Sequence, residues 1–156
     1  MNKTALSLIL ASAIAMPAMV MAKPITLTTT LKSYGGDGAY LAIYVTNAEG
    51  QYQKTLWVAG KKSKYYKNLR DWARGSGLKP GEYDGVSGAS VGSGKTLKVT
   101  VDLADTLIDA GYEIRVDSAV EDGRENPADV RTPLTTAGAS KPSAGRGYVQ
   151  SFTYDM

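Results

Sequence analysis

The chain has no cysteine and no histidine, so the side chains that most often act as nucleophile, general base or metal ligand are missing. This composition excludes a catalytic triad that depends on histidine, a thiolate nucleophile and iron–sulfur ligation. The most distinctive hydroxyls lie in the heptapeptide Asp-Gly-Val-Ser-Gly-Ala-Ser, which runs from Asp84 to Ser90. Because a serine hydroxyl has no redox chemistry of its own, such chemistry would have to come from an attached cofactor.

The heptapeptide is made of small residues around its last hydroxyl. Gly85 and Gly88 allow backbone conformations that are closed to other residues, and Ala89 leaves space beside Ser90. A segment of this kind suits a hydroxyl that must enter the active site of another enzyme. It is also typical of an ordinary turn, in which Asp84 would make a side-chain-to-backbone hydrogen bond. The residue types alone leave both interpretations open.

The elements around the heptapeptide are predicted to be mostly short strands, because apolar residues alternate between clusters of turn-forming residues. In one strand the alternation puts Leu41, Ile43 and Val45 on the core face and the tyrosines on the other. The predicted strands are 25–32, 40–46, 53–59, 96–103, 112–120 and 148–154. The second and third of these should form a hairpin.

Residues 61–74 change to a helical period, with Leu69 and Trp72 on one stripe. This pattern predicts one amphipathic helix that starts near Ser63, ends at Gly75 and packs its apolar stripe on the sheet. Its other faces carry the basic residues Lys61, Lys62, Lys64, Lys67, Arg70 and Arg74. Such a surface is either a binding surface or a solvated helix face.

Two polar segments complete the predicted organisation. Residues 75–94 are expected to form a Gly-rich loop that presents the heptapeptide, and residues 121–146 a loop or meander. The predicted fold is mainly β, an antiparallel β-sandwich of immunoglobulin-like architecture with one inserted amphipathic helix. Residues 23–156 have the length of a single domain.

The first 22 residues have the features of a secretory signal peptide. Lys3 precedes an apolar stretch, and Val20-Met21-Ala22 suits cleavage after Ala22. No later segment is apolar over the length of a membrane span, so the mature protein is not expected to cross a membrane. The net charge of +3 is too small to indicate nucleic-acid binding.

Three segments together resemble a family of periplasmic proteins known as domain of unknown function 2271. They are the strand 40–45, residues 54–57 and the segment 65–72, which reads Tyr-x-x-x-Leu-Arg-x-Trp. In that family a similar strand pair, a similar helix and an Asp-x-Val-Ser/Thr-Gly-Ala loop occur in the same order. The resemblance extends over roughly residues 25–154.

The heptapeptide has the form Asp-x-x-Ser/Thr-Gly-Ala-Ser/Thr, and it resembles the site at which flavin transferases attach flavin mononucleotide (FMN). The resemblance implies that Ser90 is the acceptor and carries FMN through a phosphoester bond, at a position where threonine is commoner. It also implies that Asp84, Ser87, Gly88 and Ala89 take part in recognition of the acceptor segment.

Taken together, these resemblances imply a periplasmic electron carrier, more a redox carrier than a stand-alone enzyme. It would be matured by a flavin transferase and would pass electrons between a membrane redox protein of the PepSY type and an extracytoplasmic acceptor. Trp57, on the strand face opposite Leu56, is a candidate for stacking on the flavin, whereas Trp72 is expected in the core. The alternative is a non-catalytic β-sandwich binding or accessory module that uses the tyrosine-rich sheet face or the basic helix.

Overall fold

The structure is a computed structural model that describes residues 14–17 and 19–156. The predicted signal peptide, residues 1–22, falls mostly outside the described residues. Ala22, the last residue before the predicted cleavage point, is the first residue of strand β1. Within the two described ranges no helix has the length and apolar character needed to cross a membrane.

The described residues form nine strands and one α-helix. The strands are β1 (Ala22–Leu31), β2 (Ala39–Thr46), β3 (Tyr52–Ala59), β4 (Ser87–Gly88), β5 (Thr96–Ala104), β6 (Glu113–Val120), β7 (Glu125–Pro133), β8 (Ser143–Ala144) and β9 (Val149–Asp155). The helix is α1 (Arg70–Ser76), and short 3-10 turns cover Ser63–Asn68, Pro80–Glu82 and Asp105–Leu107. The six predicted strands are confirmed to within three residues at each end.

The strands form two sheets. The first has the order β5-β1-β9-β8, and the second has the order β4-β3-β2-β6-β7. All pairings are antiparallel except that of β3 with β4, which is parallel. The prediction of a mainly β fold is therefore confirmed, whereas immunoglobulin-like architecture stays a prediction.

The main hydrophobic core lies between the two sheets. Leu27 of β1 and Phe152 of β9 come from the first sheet, and Leu41 of β2 and Val116 of β6 come from the second. All four side chains are completely buried. Because these residues alternate with outward-facing neighbours along each strand, the period of two in the sequence correctly predicted the core face.

A second, smaller core covers the outer face of β2. Tyr40, Ala42 and Tyr44 pack there with Leu69 and Trp72, which come from the helical segment between β3 and β4. Both faces of β2 are thus buried, and all eight of its residues are shielded from solvent. The predicted packing of Leu69 and Trp72 on the sheet is confirmed.

The single helix predicted over residues 61–74 is wrong in its boundaries. Leu69 has ψ of 76°, which separates a 3-10 turn from α1, and the helix ends at Gly77 with φ of 64°. Gly75 serves packing instead of termination, because a Cβ placed on it would lie 2.3 Å from Cβ of Tyr52. Glycine is needed at position 75 because the helix packs closely on Tyr52 there. This tertiary contact cannot be predicted from the sequence.

Both segments predicted as loops contain strands. Residues 121–146 include β7, which pairs with β6 along most of its length. Pro127 and Pro133 interrupt its pattern, and the register shift between Val116 and Ser118 breaks the alternation further. Residues 75–94 include β4, which is too short to give a periodic signal.

Candidate functional site

Strand β4 holds the heptapeptide against the edge of the second sheet. The N–H of Val58 donates to the carbonyl of Val86 at 2.9 Å, and the N–H of Gly60 donates to the carbonyl of Gly88 at 2.8 Å. Farther along, Val91 exchanges two backbone hydrogen bonds with Ala39, at 2.7 and 2.9 Å. The segment is therefore bonded on both sides of Ser90, and the predicted Gly-rich loop contains the two-residue strand β4.

Ser90 lies at the surface between these two points of attachment. It is exposed, as is Ala89 before it, whereas Val91 after it is buried. Gly38 lies directly beside it, since a Cβ placed on that glycine would come within 2.8 Å of the Ser90 Oγ. The hydroxyl therefore projects from an ordered backbone next to a residue that has no side chain.

The beginning of the heptapeptide is an ordered turn. The N–H of Asp84 donates to the carbonyl of Pro80 at 2.9 Å, and Gly85 has φ of 78°, a left-handed conformation that favours glycine. Asp84, Gly85 and Ser87 are exposed. The residues singled out from the sequence thus lie in one continuous stretch along the sheet edge, with Ser90 at its far end.

Trp57 packs against this stretch at Gly88. A Cβ placed on Gly88 would lie 2.9 Å from Cζ2 of Trp57, so the indole occupies the space that a larger residue would need. The prediction that Trp57 and Leu56 face opposite ways is wrong. Leu56 forms a bulge, since Ile43 pairs with Trp57 while Tyr44 pairs with Thr55, and both side chains turn toward the core between the sheets.

A cavity of about 310 Å³ opens beside Trp57, between the edges of the two sheets. Lys54 and Trp57 of β3 line one side together with Gly85 and Val86 of the heptapeptide. Thr100 and Asp102 of β5, in the other sheet, also line it. The cavity is thus adjacent to the heptapeptide and combines apolar and charged walls.

The aromatic residues on the outer face of the second sheet anchor the start of the heptapeptide. Tyr83 directly precedes Asp84, and its ring lies 5.1 Å from that of Tyr66 and 6.0 Å from that of Trp72. The Tyr66 hydroxyl donates to the carbonyl of Gly60 at 2.7 Å, and burial raises the pKa of Tyr66. These contacts account for the ordered turn.

The tyrosine-rich face proposed as an open binding surface is covered. Tyr44 is only 1% exposed, and Tyr40 is 9% exposed, because the helical segment packs over both. The basic residues of that segment remain at the surface: Lys61, Lys62, Lys64, Lys67, Arg70 and Arg74 are exposed. Arg70 forms an ion pair with Glu125 at 2.7 Å.

A buried carboxylate connects the layers. Asp117 of β6 is completely buried and accepts hydrogen bonds from the Tyr44 hydroxyl and from the N–H groups of Trp72 and Ala128, all at 2.8 Å. Burial raises the pKa of Asp117, while the three hydrogen bonds act in the opposite direction. These hydrogen bonds join β6 to β2, α1 and β7.

The fold and the site define a mainly β protein of two sheets that presents a serine at the edge of one sheet. Residues 22–151 match the family described as "Predicted periplasmic protein (DUF2271)", and the chain belongs to this family. The predicted periplasmic localisation of the protein is confirmed. No curated protein and no solved structure matches the chain.

Proposed function

We propose that the protein is a periplasmic electron carrier in which Ser90 holds FMN through a phosphoester bond. The observation that carries this proposal is the exposed Ser90 at the end of an ordered Asp-x-x-Ser-Gly-Ala-Ser segment at a sheet edge. When bound, the flavin would supply one- and two-electron transfer, which the side chains of this chain do not provide.

Attachment requires a flavin transferase and flavin adenine dinucleotide (FAD). The Ser90 hydroxyl oxygen would form a bond to the phosphorus on the FMN side of FAD. The bond from that phosphorus to the AMP oxygen would break, the serine proton would leave to a base of the transferase, and AMP would depart. Ser90 is thus the nucleophile, and the transferase contributes the activation that a chain without histidine lacks.

The surroundings of Ser90 suit this reaction. Gly38 and Ala89 are small residues next to the hydroxyl, and the exposed Asp84 and Ser87 are available to a transferase that recognises the segment. The backbone bonds on either side of Ser90 hold the segment in one conformation, so little conformational entropy is lost when the transferase binds it.

The proposed carrier would receive its electrons from a membrane protein. A partner of the PepSY type follows from the family resemblance alone. The exposed lysines at 61, 62, 64 and 67 support docking of a partner with an acidic surface. They begin close to the heptapeptide, because Lys61 follows Gly60 and the N–H of Gly60 donates to the carbonyl of Gly88.

A binding or accessory module without a cofactor is the second candidate function. The same exposed basic surface favours it, since that surface does not need Ser90 to bind an acidic protein. The two functions differ in one respect. Removal of the Ser90 hydroxyl abolishes the carrier and leaves the binding module unchanged.

The direct test is the intact mass of the protein after secretion from cells that also express a flavin transferase. Wild type and Ser90→Thr should gain the mass of one FMN less water, and Ser90→Ala should gain nothing. If all three are unmodified while a known acceptor protein is modified in the same cells, the carrier proposal is wrong.

A further inference from the structure

A second cavity, of about 410 Å³, lies on the outer face of the second sheet. Tyr44 of β2, Tyr52 of β3 and Gly75 of α1 form part of its wall. Tyr44 follows Ala39, which bonds to Val91, by five residues, or about 16 Å along an extended strand. The cavity is therefore separate from the heptapeptide, and its volume falls within the roughly 300–1,000 Å³ found for ligand sites.

The guanidinium group of Arg115 in this cavity keeps hydrogen-bond donors without acceptors. The side chain is only 14% exposed, and its Nε donates to Glu113 at 3.2 Å. Its two terminal nitrogens donate to none of the described residues, yet both keep contact with solvent. One of them lies at Gly50, another residue of the cavity wall, where an added Cβ would come within 3.0 Å of it. A guanidinium held in this way is suited to binding a carboxylate.

An acidic side chain lines the same cavity without pairing with this arginine. Asp71 of α1 approaches Arg74 at 3.9 Å, and no ion pair among the described residues joins it to Arg115. Burial and the Asp117 carboxylate raise the pKa of Tyr44. The Asp71 carboxylate raises this pKa further and the Arg115 guanidinium lowers it, so both charges lie near the Tyr44 hydroxyl.

We infer that this cavity binds a small zwitterion of the α-amino acid class, with its carboxylate on Arg115 and its ammonium group on Asp71. The other charged residues of the wall are Glu49 and Arg74, so the lining is neutral overall and favours neither a plain anion nor a plain cation. The half-buried ring of Tyr52 offers an apolar surface to the side chain of the ligand. This site does not depend on a flavin at Ser90.

The first measurement is an NMR titration of the isotope-labelled protein with free L-amino acids that differ in their side chains. The amide signals of Gly50 and Gly75, which line the cavity, should shift. The N-acetyl derivative of the best ligand keeps only the negative charge, and its amide keeps only the positive charge. Each should bind about tenfold more weakly or worse, because one charge-assisted hydrogen bond is lost.

Two results of this titration would overturn the site. One is the absence of any shift at millimolar concentrations of every amino acid. The other is an N-acetyl derivative or an amide that binds as tightly as the free amino acid, since a site for zwitterions must use both charges.

Arg131→Gln is the matched control for Arg115→Gln. Both arginines contact the Glu113 carboxylate, at 3.3 and 3.2 Å, but Arg131 does not line the cavity. Arg115→Gln should weaken binding of the amino acid by about 10- to 100-fold and leave binding of its amide unchanged, because the amide has no carboxylate. Arg131→Gln should change neither affinity.

Asp71→Asn tests the other charge. It should weaken binding of the amino acid by about tenfold or more and leave binding of the N-acetyl derivative unchanged. A variant that only disturbs the fold would weaken both compounds alike. Equal losses for the two compounds, or equal affinities in Arg115→Gln and Arg131→Gln, would overturn the assignment of the two charges.

Discussion

At the scale of single residues, the heptapeptide depends on a contact that only glycine allows. Gly88 lies over the indole of Trp57, and Gly38 lies beside Ser90. Because glycine has no side chain, Gly88 leaves room for the Trp57 ring and Gly38 leaves room for the Ser90 hydroxyl. The sequence showed that glycines were frequent here, but it could not show which of them was in contact with what.

Gly88→Ala should destabilise the protein by about 1–3 kcal/mol, because its Cβ would lie 2.9 Å from the Trp57 ring and one of the two must move. Gly81→Ala is the matched control, since a Cβ there has nothing within 4 Å. Urea unfolding measures both variants. Equal stabilities would mean that β4 is not packed on Trp57.

At the scale of elements, Asp117 connects the helix to the sheet. Its Oδ2 accepts the backbone N–H of Trp72 in α1, and its Oδ1 accepts the Tyr44 hydroxyl of β2 and the N–H of Ala128 in β7. One carboxylate thus holds three elements, and α1 in turn supports Tyr83 at the start of the heptapeptide.

Asp117→Asn should lower the free energy of unfolding by about 1–3 kcal/mol, because an amide nitrogen replaces one acceptor oxygen and leaves a buried N–H or hydroxyl unpaired. The exposed Asp37→Asn is the control and should change little. Denaturant unfolding, followed by tryptophan emission, reports the loss. An unchanged Asp117→Asn variant would show that these hydrogen bonds contribute no net stability.

The elements also show which parts of the fold the sequence can predict. Regular alternation identified six strands, since each buries one face between the sheets. It missed β7, where prolines and a register shift interrupt the pattern, and it misplaced Trp57, because the bulge at Leu56 reverses the faces that follow. The motif located the Ser90 segment, but the parallel pairing of β4 and the cavity depend on contacts between distant residues.

At the scale of the whole molecule, stability rests on two cores that share β2, and tyrosines occupy the outer one. Burial raises the pKa of Tyr52 to about 12 and raises that of Tyr44 further. In the unfolded chain tyrosine loses its proton near about pH 10. The folded state therefore holds more protons than the unfolded state above that pH.

This difference predicts loss of stability in alkali. The contribution of the buried tyrosines is fully present below about pH 10 and is lost as the pH rises through the folded pKa values. The free energy of unfolding should fall as the pH rises from about 10 to about 12, and less steeply in Tyr52→Phe. Urea unfolding across this range measures the slope. A slope that is the same in both proteins would contradict the assignment to Tyr52.

Attachment of FMN to Ser90 is tested most directly by transfer with purified components. The protein is incubated with FAD, a divalent metal ion and a flavin transferase, and AMP release and flavin-bearing peptides are both measured. We predict one AMP released per chain and one FMN on the peptide that contains Ser90, unchanged in Ser93→Ala and absent in Ser90→Ala. AMP release no greater than without the protein, or flavin on another residue, would show that Ser90 is not the FMN acceptor.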